Sequence, residues 1–600
     1  MLKLPQLANG QKQTLMTTTF LGYNHNEVIH DGEMYDMKNL SGDMYPLMTL
    51  RKKRAWTSFA ANNVDPPLTG IDGRDQLTLI VGTKVYWALN EITGLSVSDA
   101  EGMTPKTIVN FGAYVLIFPD KKYFNTINLE DYGDIDRNFS ISSASVSISM
   151  CRGDGTDMSN IATGSTPPAS PTNGDLWIDP SGDNDVLRQW SAVTEDWVEV
   201  ATTFVKIAAS GIGTGLSYWD GIQVSGLQAG SGASAKLQAQ IEALNGSKIV
   251  YSASENYIVV TGFVNQTQAA GSLASATIHA DRKMPDMDFI VESNNRLWGC
   301  KYGLVNSKVV NEIRASALGD FRNWEKFLGN SQDSYVASVG TDGPFTAGVS
   351  QKGYPVFFKE GCVHQVWGSA PSSFQIKATA CRGVQKGSGK SAVVVNENVY
   401  YKSRTDVMMF DGSMPASISA QLGNVQYSSA RAGALGNKYY ISMKDKTNHW
   451  VLMTYDTERN VWYKEDDFQA LGFGRVDDEL FAIGSDNKLW SMAGTVGTAE
   501  EDLEWMAQFG MFGTDYLGKK YLSRFDIRMY LPENAEAHMQ IQYDSDGIWR
   551  DRGEIKGNKL RSFVLPVVPR RCDHLKVRLT GEGDMRIYAI SRILEGGQDG

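Results

Sequence analysis

Along most of this chain, short apolar runs rich in β-branched and aromatic residues alternate with turns of Gly, Asn and Asp, a spacing that predicts strands joined by tight turns. "VGTKVYWAL" from Val81, "FGAYVLIF" from Phe111, "SNNRLWGC" from Ser293, "QKGYPVFF" from Gln351, "NENVYYKS" from Asn396, "LGNKYYISM" from Leu435 and "SDNKLWSM" from Ser485 all read as hairpins. Gly and Asn there supply the positive φ that such turns need. Beyond a gap after the second hairpin, they return every ~40–60 residues, near the ~40–50 of a four-stranded propeller blade. A small sheet that is apolar on both faces can bury them only between neighbours. The pattern therefore predicts a β-propeller of about six or seven blades in preference to a pair of sandwiches.

Two regions break the rhythm. Between 140 and 285, "SISSASVSISM" leads into a Ser/Pro/Gly stretch and then into "GDLWIDPSGDNDVLRQWSAVTEDWVEV". One helix follows in "SAKLQAQIEALNG": Ser234 caps it, Leu237, Ile241 and Leu244 share a face, and Asn245-Gly246 ends it. This predicts a small inserted α+β domain. From 498 onward the alternation is strict, as in Phe525/Ile527/Met529, Met539/Ile541/Tyr543, Phe563/Leu565/Val567 and Leu575/Val577/Leu579. Period-two patterning with charged outer faces marks half-buried antiparallel strands and a C-terminal β-sandwich. The expected class is mainly β, with a 1–65 arm, propeller parts at 66–139 and 286–497, the 140–285 insert and the 498–600 sandwich.

Composition narrows the function. The 600 residues carry a net charge of −11, which excludes a general nucleic-acid binder, since that role needs a basic excess. Five scattered cysteines without CxxC spacing read as reduced thiols. The start "MLKLPQLANGQKQTL" shows no apolar signal core, and no window reaches the ~18 apolar residues of a spanning helix. Synthesis in a cytoplasm is the expectation.

Candidate chemistry is sparse. "GVQKGSGKSAVVV" ends like a phosphate loop, but Val384 stands where the first glycine is needed and a strand follows. "YDSDGIWRD" (Asp544, Asp546, Asp551) and "DPSGDND" (Asp179, Asp183, Asp185) read as turns before they read as metal sites. Seven dispersed histidines form no recognisable motif. No catalytic, cofactor-binding or metal-binding residue is assigned, no cofactor is expected, and the chain is not expected to be an enzyme. Trp177, Trp190 and Trp197, near Asp and Asn, are candidate glycan contacts, with a domain core as the plainer explanation.

The segment Asp31 to Arg54, "DGEMYDMKNLSGDMYPLMTLRKKR", is acidic, Met-rich and then basic. With the preceding "YNHN", and with "KKYLSRFDIRMYL", "IQYDSDGIW" and "PRRCDHLKVRLTGEGDMRIYAISR" near the other end, it resembles the stabilisation and tail-hub (nozzle) proteins of tailed bacteriophages. The resemblance implies a propeller-containing virion protein at the tail or head-tail interface, assembled as a ring of six copies below the portal and adaptor. Its partners would be itself, the portal and adaptor, other tail proteins, and passing double-stranded DNA held without sequence specificity. On this reading Tyr35, Met37, Tyr45 and Pro46 are apolar anchors of an assembly strap. Arg51, Lys52, Lys53 and Arg54 would pair with acid on a neighbouring subunit. A strand that closes the propeller is the equal alternative. The competing functions are a receptor- or glycan-binding tail protein using the Trp-rich insert and, third, a propeller hydrolase acting on cell-surface polysaccharide.

Overall fold

The computed structural model describes residues 12–57, 67–98, 105–274, 276–515, 517–533, 535–557 and 559–596. The expected boundary at 65/66 lies outside the described residues. The chain is mainly β, a β-propeller with a small inserted α+β domain and a C-terminal sandwich. It divides into two compact units. One holds Met1–Ile108, Thr341–Gln365 and Lys377–Gly600; the other holds Val109–Gly340 and Val366–Ile376.

Seven sheets of the blade type lie among the described residues, at 68–96, 107–134, 289–338, 345–380, 393–417, 427–466 and 470–499. The hairpin turns follow the residue chemistry. Asn294 and Asn295 have φ of 53° and 56°, and Asn396 and Glu397 have 47° and 68°, the paired positive φ of a turn whose twist matches its strands. In the first unit the innermost strands of the first and last blades are neighbours. They lie so close that a Cβ on Gly73 would stand 2.2 Å from the Arg475 carbonyl oxygen, a separation only glycine tolerates.

The C-terminal alternation gives two packed sheets of six and five strands. Phe525, Ile527, Met529, Met539, Ile541, Leu575, Val577 and Leu579 are all at 0% exposure, whereas Phe563 and Val567 only flank this core. The N-terminal segment is part of the same structure, which corrects the expectation of a separate arm. Lys12–Thr17 and Met48–Leu50 pair with Arg586–Gly596. Met34–Lys38 pairs with Glu504–Phe512. Ala55–Thr57 then enters the last blade between Leu489–Ser491 and Thr498–Ala499. The free N–H and C=O groups of the sheet edges reward such pairing wherever an apolar face can be buried with it.

The second unit holds blades 107–134 and 289–338, and the insert as three four-stranded sheets with the helix Ala235–Glu242. The Ser234 hydroxyl oxygen accepts a hydrogen bond from the Leu237 amide at 3.2 Å. Leu237, Ile241 and Leu244 face the core, each worth roughly 1.5–3 kcal/mol when buried. No helix among the described residues is long and apolar enough to cross a membrane.

Candidate functional site

Arg51 and Arg54, only 6% and 1% exposed, are the centre of the N-terminal segment. Arg54 donates to Glu465 at 2.5 Å and Asp466 at 2.8 Å. Arg51 reaches Glu500 at 2.7 Å and Asp466 at 3.2 Å, and its Nε donates to the Asn39 side chain at 2.8 Å. Burial works against the charge of Asp466, but Arg54 and Arg51 together hold its carboxyl below the usual range. These pairs lie within one chain. The expectation that Arg51 and Arg54 pair with acid on a neighbour is therefore corrected: they clamp the propeller-closing strand to the last two blades and to the start of the sandwich. Lys52 and Lys53 are exposed, and Lys53 pairs at the surface with Asp502 at 2.7 Å.

The apolar anchors divide in the same way. Met37 is at 0% exposure inside the sandwich core, so it is no anchor for another chain. Tyr35 is half-buried, with its ring 4.3 Å from that of His25. Tyr45 and Pro46 lie at the surface, joined by a cis bond, with the Arg459 guanidinium 5.2 Å from the Tyr45 ring. Upstream, the Tyr23 amide donates to the Trp462 carbonyl at 2.7 Å. Gly22, at φ 74°, approaches that carbonyl so closely that a Cβ would stand 2.3 Å from it. The glycine before "YNHN" is thus required by a backbone contact, which sequence reasoning missed because the partner is more than four hundred residues away.

Two of the three candidate glycan contacts are corrected. Trp177 and Trp197 are 6% and 9% exposed and meet edge to face at 5.5 Å. The Trp177 indole N–H donates to the Gly164 carbonyl. They pack on each other in a small sheet whose Ile178 and Leu187 are buried in the core of the insert. Trp190 packs on Trp197 at 5.6 Å but stays half-exposed.

The acidic motifs are turns and braces. Asp185 accepts hydrogen bonds from Lys236, Gln240 and Asn265, and Asp179 from Ser181 and Arg188. Asp544 takes the Asp573 amide and Asp546 the Arg550 guanidinium. Gly389–Ser391 is a single 3-10 turn before the strand Val393–Val395. There the Lys390 ammonium donates to the Lys106 carbonyl, and desolvation, with Arg431 nearby, pushes it down to about 8. Among the described residues, Glu536, His538 and Glu554 bring their ligating atoms within 4.8 Å of one another. The Lys556 ammonium already bridges the two carboxylates, at 3.6 and 2.5 Å.

The most perturbed histidine is His364, at 0% exposure in the blade 345–380. Its Nε2 lies 2.8 Å from the Thr341 hydroxyl, its Nδ1 has no partner, and buried Lys359 donates to the Thr341 carbonyl. Desolvation first, then Lys359, pushes the imidazole down to about 4 from 6.5. The folded state therefore keeps His364 neutral while the unfolded chain takes up a proton below about 6.5. Stability is full above that pH and is lost as pH falls from 6.5 towards 4, by up to about 3 kcal/mol. Urea unfolding at pH 7.5 and 4.5 should show this loss in the wild type. His364→Gln should flatten the difference, and an unchanged slope in that variant would refute the assignment.

No family model matches the chain, and no curated protein matches it. Among solved structures it is similar to an exo-β-1,3-galactanase from Phanerochaete chrysosporium, at 7% identity over 50% of this chain and 94% of that one, TM-score 0.19. A glycoside hydrolase aligns at 10% identity over 50% and 96%, TM-score 0.20. The sialidase of Trypanosoma rangeli aligns at 8% over 96% and 95%, TM-score 0.18. These structures are glycoside hydrolases and a sialidase, and against them the expectation that the chain is not an enzyme is withdrawn. At these scores the likeness transfers no activity and no residue to it.

Proposed function

We propose that this chain is a virion protein of a tailed bacteriophage, a ring-forming tail-hub or nozzle subunit that helps retain packaged DNA and conduct it outward. The observation that carries the reading is where its two signature regions meet. The N-terminal strands Met34–Lys38 and Met48–Leu50 pair with Glu504–Phe512 and Arg586–Gly596, and these in turn pair with Leu575–Glu582 and Lys520–Tyr530. Asp31 and Arg592 close the join with an ion pair at 2.8 Å. Segments far apart in sequence that carry one resemblance thus build one module, as a shared assembly role would require. Electron microscopy of particles carrying a labelled copy of this chain should place the label in a ring between head and tail. Particles without the label, or with it on a distal spike, would overturn the reading.

Receptor or glycan binding is the second reading. It rests on Trp190, the most exposed ring of the three, on the strand Val186–Ser191. Glycan-array signal that Trp190→Ala abolishes without changing the unfolding midpoint would favour it.

A further inference from the structure

Charge is unevenly distributed along this acidic chain. Residues 550–578 carry nine Lys and Arg against three Asp and Glu, whereas residues 140–281 carry thirteen Asp and Glu against five Lys and Arg. The fold pairs or buries some of these charges and leaves others exposed. In the sandwich, the guanidiniums of Arg550, Arg552 and Arg570 stand 5.7, 5.9 and 5.2 Å from the centre of the single buried ring of Tyr543. Asp546 pairs with Arg550, but among the described residues no carboxylate lies within ion-pair distance of Arg552 or Arg570. Like charges crowded this way repel unless an anion joins them. Exposed Val564 and Val568, at 60% and 58%, lie in the same stretch.

The insert offers the complement. The strand Asp196–Glu199 and the turn before it present Glu195, Asp196 and Glu199 to solvent without an ion pair among the described residues. Val193 and Val198 are exposed beside them, at 93% and 48%. Two surfaces of opposite charge, each with exposed apolar residues nearby in the chain, have the composition of a protein interface that mixes apolar and charged groups. A nucleic acid fits less well, because the −11 chain repels a polyanion at long range.

We infer that the basic sandwich face of one copy binds the acidic 193–199 hairpin of a second copy of this chain. Each copy then uses two different surfaces, a heterologous contact that closes into a ring or extends into a filament. Closure into a ring rests on the function proposed above, but the contact itself does not.

Analytical ultracentrifugation of the full chain at 50 and 500 mM NaCl tests it. Self-association is expected at low salt, weakening more than about ten-fold at high salt. Arg552→Glu/Arg570→Glu and Glu195→Lys/Glu199→Lys should each weaken it by at least about ten-fold, with circular dichroism confirming that both variants fold. Mixing the two variants should restore association, because each reversed face then meets its new complement, an outcome that mere structural damage cannot produce. Restored association as dimers or open chains supports the contact and counts against the ring. A monomer at every salt concentration, or variants that associate like the wild type, overturns it. So does an arginine variant that loses binding to short duplex DNA while still self-associating, since the basic face would then serve nucleic acid.

Discussion

Arg54→Ala is expected to lower folding stability by about 3–5 kcal/mol, a large fraction of the roughly 5–15 kcal/mol that an ordinary domain has. Arg54 is 1% exposed, and its guanidinium sits between the Glu465 and Asp466 carboxylates with its central carbon 5.0 Å from the centre of the Phe468 ring. Removing it leaves buried carboxylates with only Arg51 to oppose them, and an uncompensated buried charge costs far more than a surface pair. Lys53→Ala, next door in sequence, breaks the exposed Asp502 pair and should cost under about 1 kcal/mol. Chemical denaturation of both variants reads the difference; equal midpoints would refute the clamp. The lowered carboxyl of Asp466 adds a pH signature. Its share of the stability is present above the ordinary value of 3.8 and is lost as pH falls through its lowered value.

Trp462→Ala should cost a similar amount, about 3–5 kcal/mol. Trp462 is at 0% exposure, with its ring 4.8 Å from that of Tyr455 and its indole N–H donating to the Ile418 carbonyl. Its own carbonyl receives the Tyr23 amide and faces Gly22, so the cavity would open beneath the N-terminal segment. Limited proteolysis is the direct measurement, with cleavage near residues 20–25 appearing in the variant before the blades are cut. If the segment stays protected while stability falls, its hold lies instead in the sandwich pairings. Trp462→Phe, which keeps most of the volume, should lie between wild type and alanine.

The legible part of the chain was local. "SNNRLW" and "NENVYY" announced their turns because Asn tolerates the positive φ that paired strands impose. Phe525, Ile527 and Met529 announced a buried face because a strand repeats every two residues. Ser234 announced a helix start because its hydroxyl oxygen can accept an orphan amide. The candidate site was less legible. A run of Arg, Lys, Lys and Arg looks uniformly solvated, yet its first and last members are buried and its middle pair is not. Nothing within the run says that Glu465, Asp466 and Glu500 will be placed around it. The tryptophans misled for the same reason: a Trp among Asp and Asn can be platform or core, and only the packing of Trp177 on Trp197 decides.

By itself, then, the chain's pattern of apolar and polar residues determined that it would fold as small twisted sheets joined by tight turns, with a helix-bearing insert and an alternating C-terminal module. Local propensity and strand period act over a few residues and need no distant partner. The tertiary structure alone decided that the first strands complete the last sheets, that two arginines are internal clamps, and that basic and acidic stretches become separate surfaces. Those outcomes depend on which distant groups share a desolvated space, where charges interact strongly and no short-range rule applies.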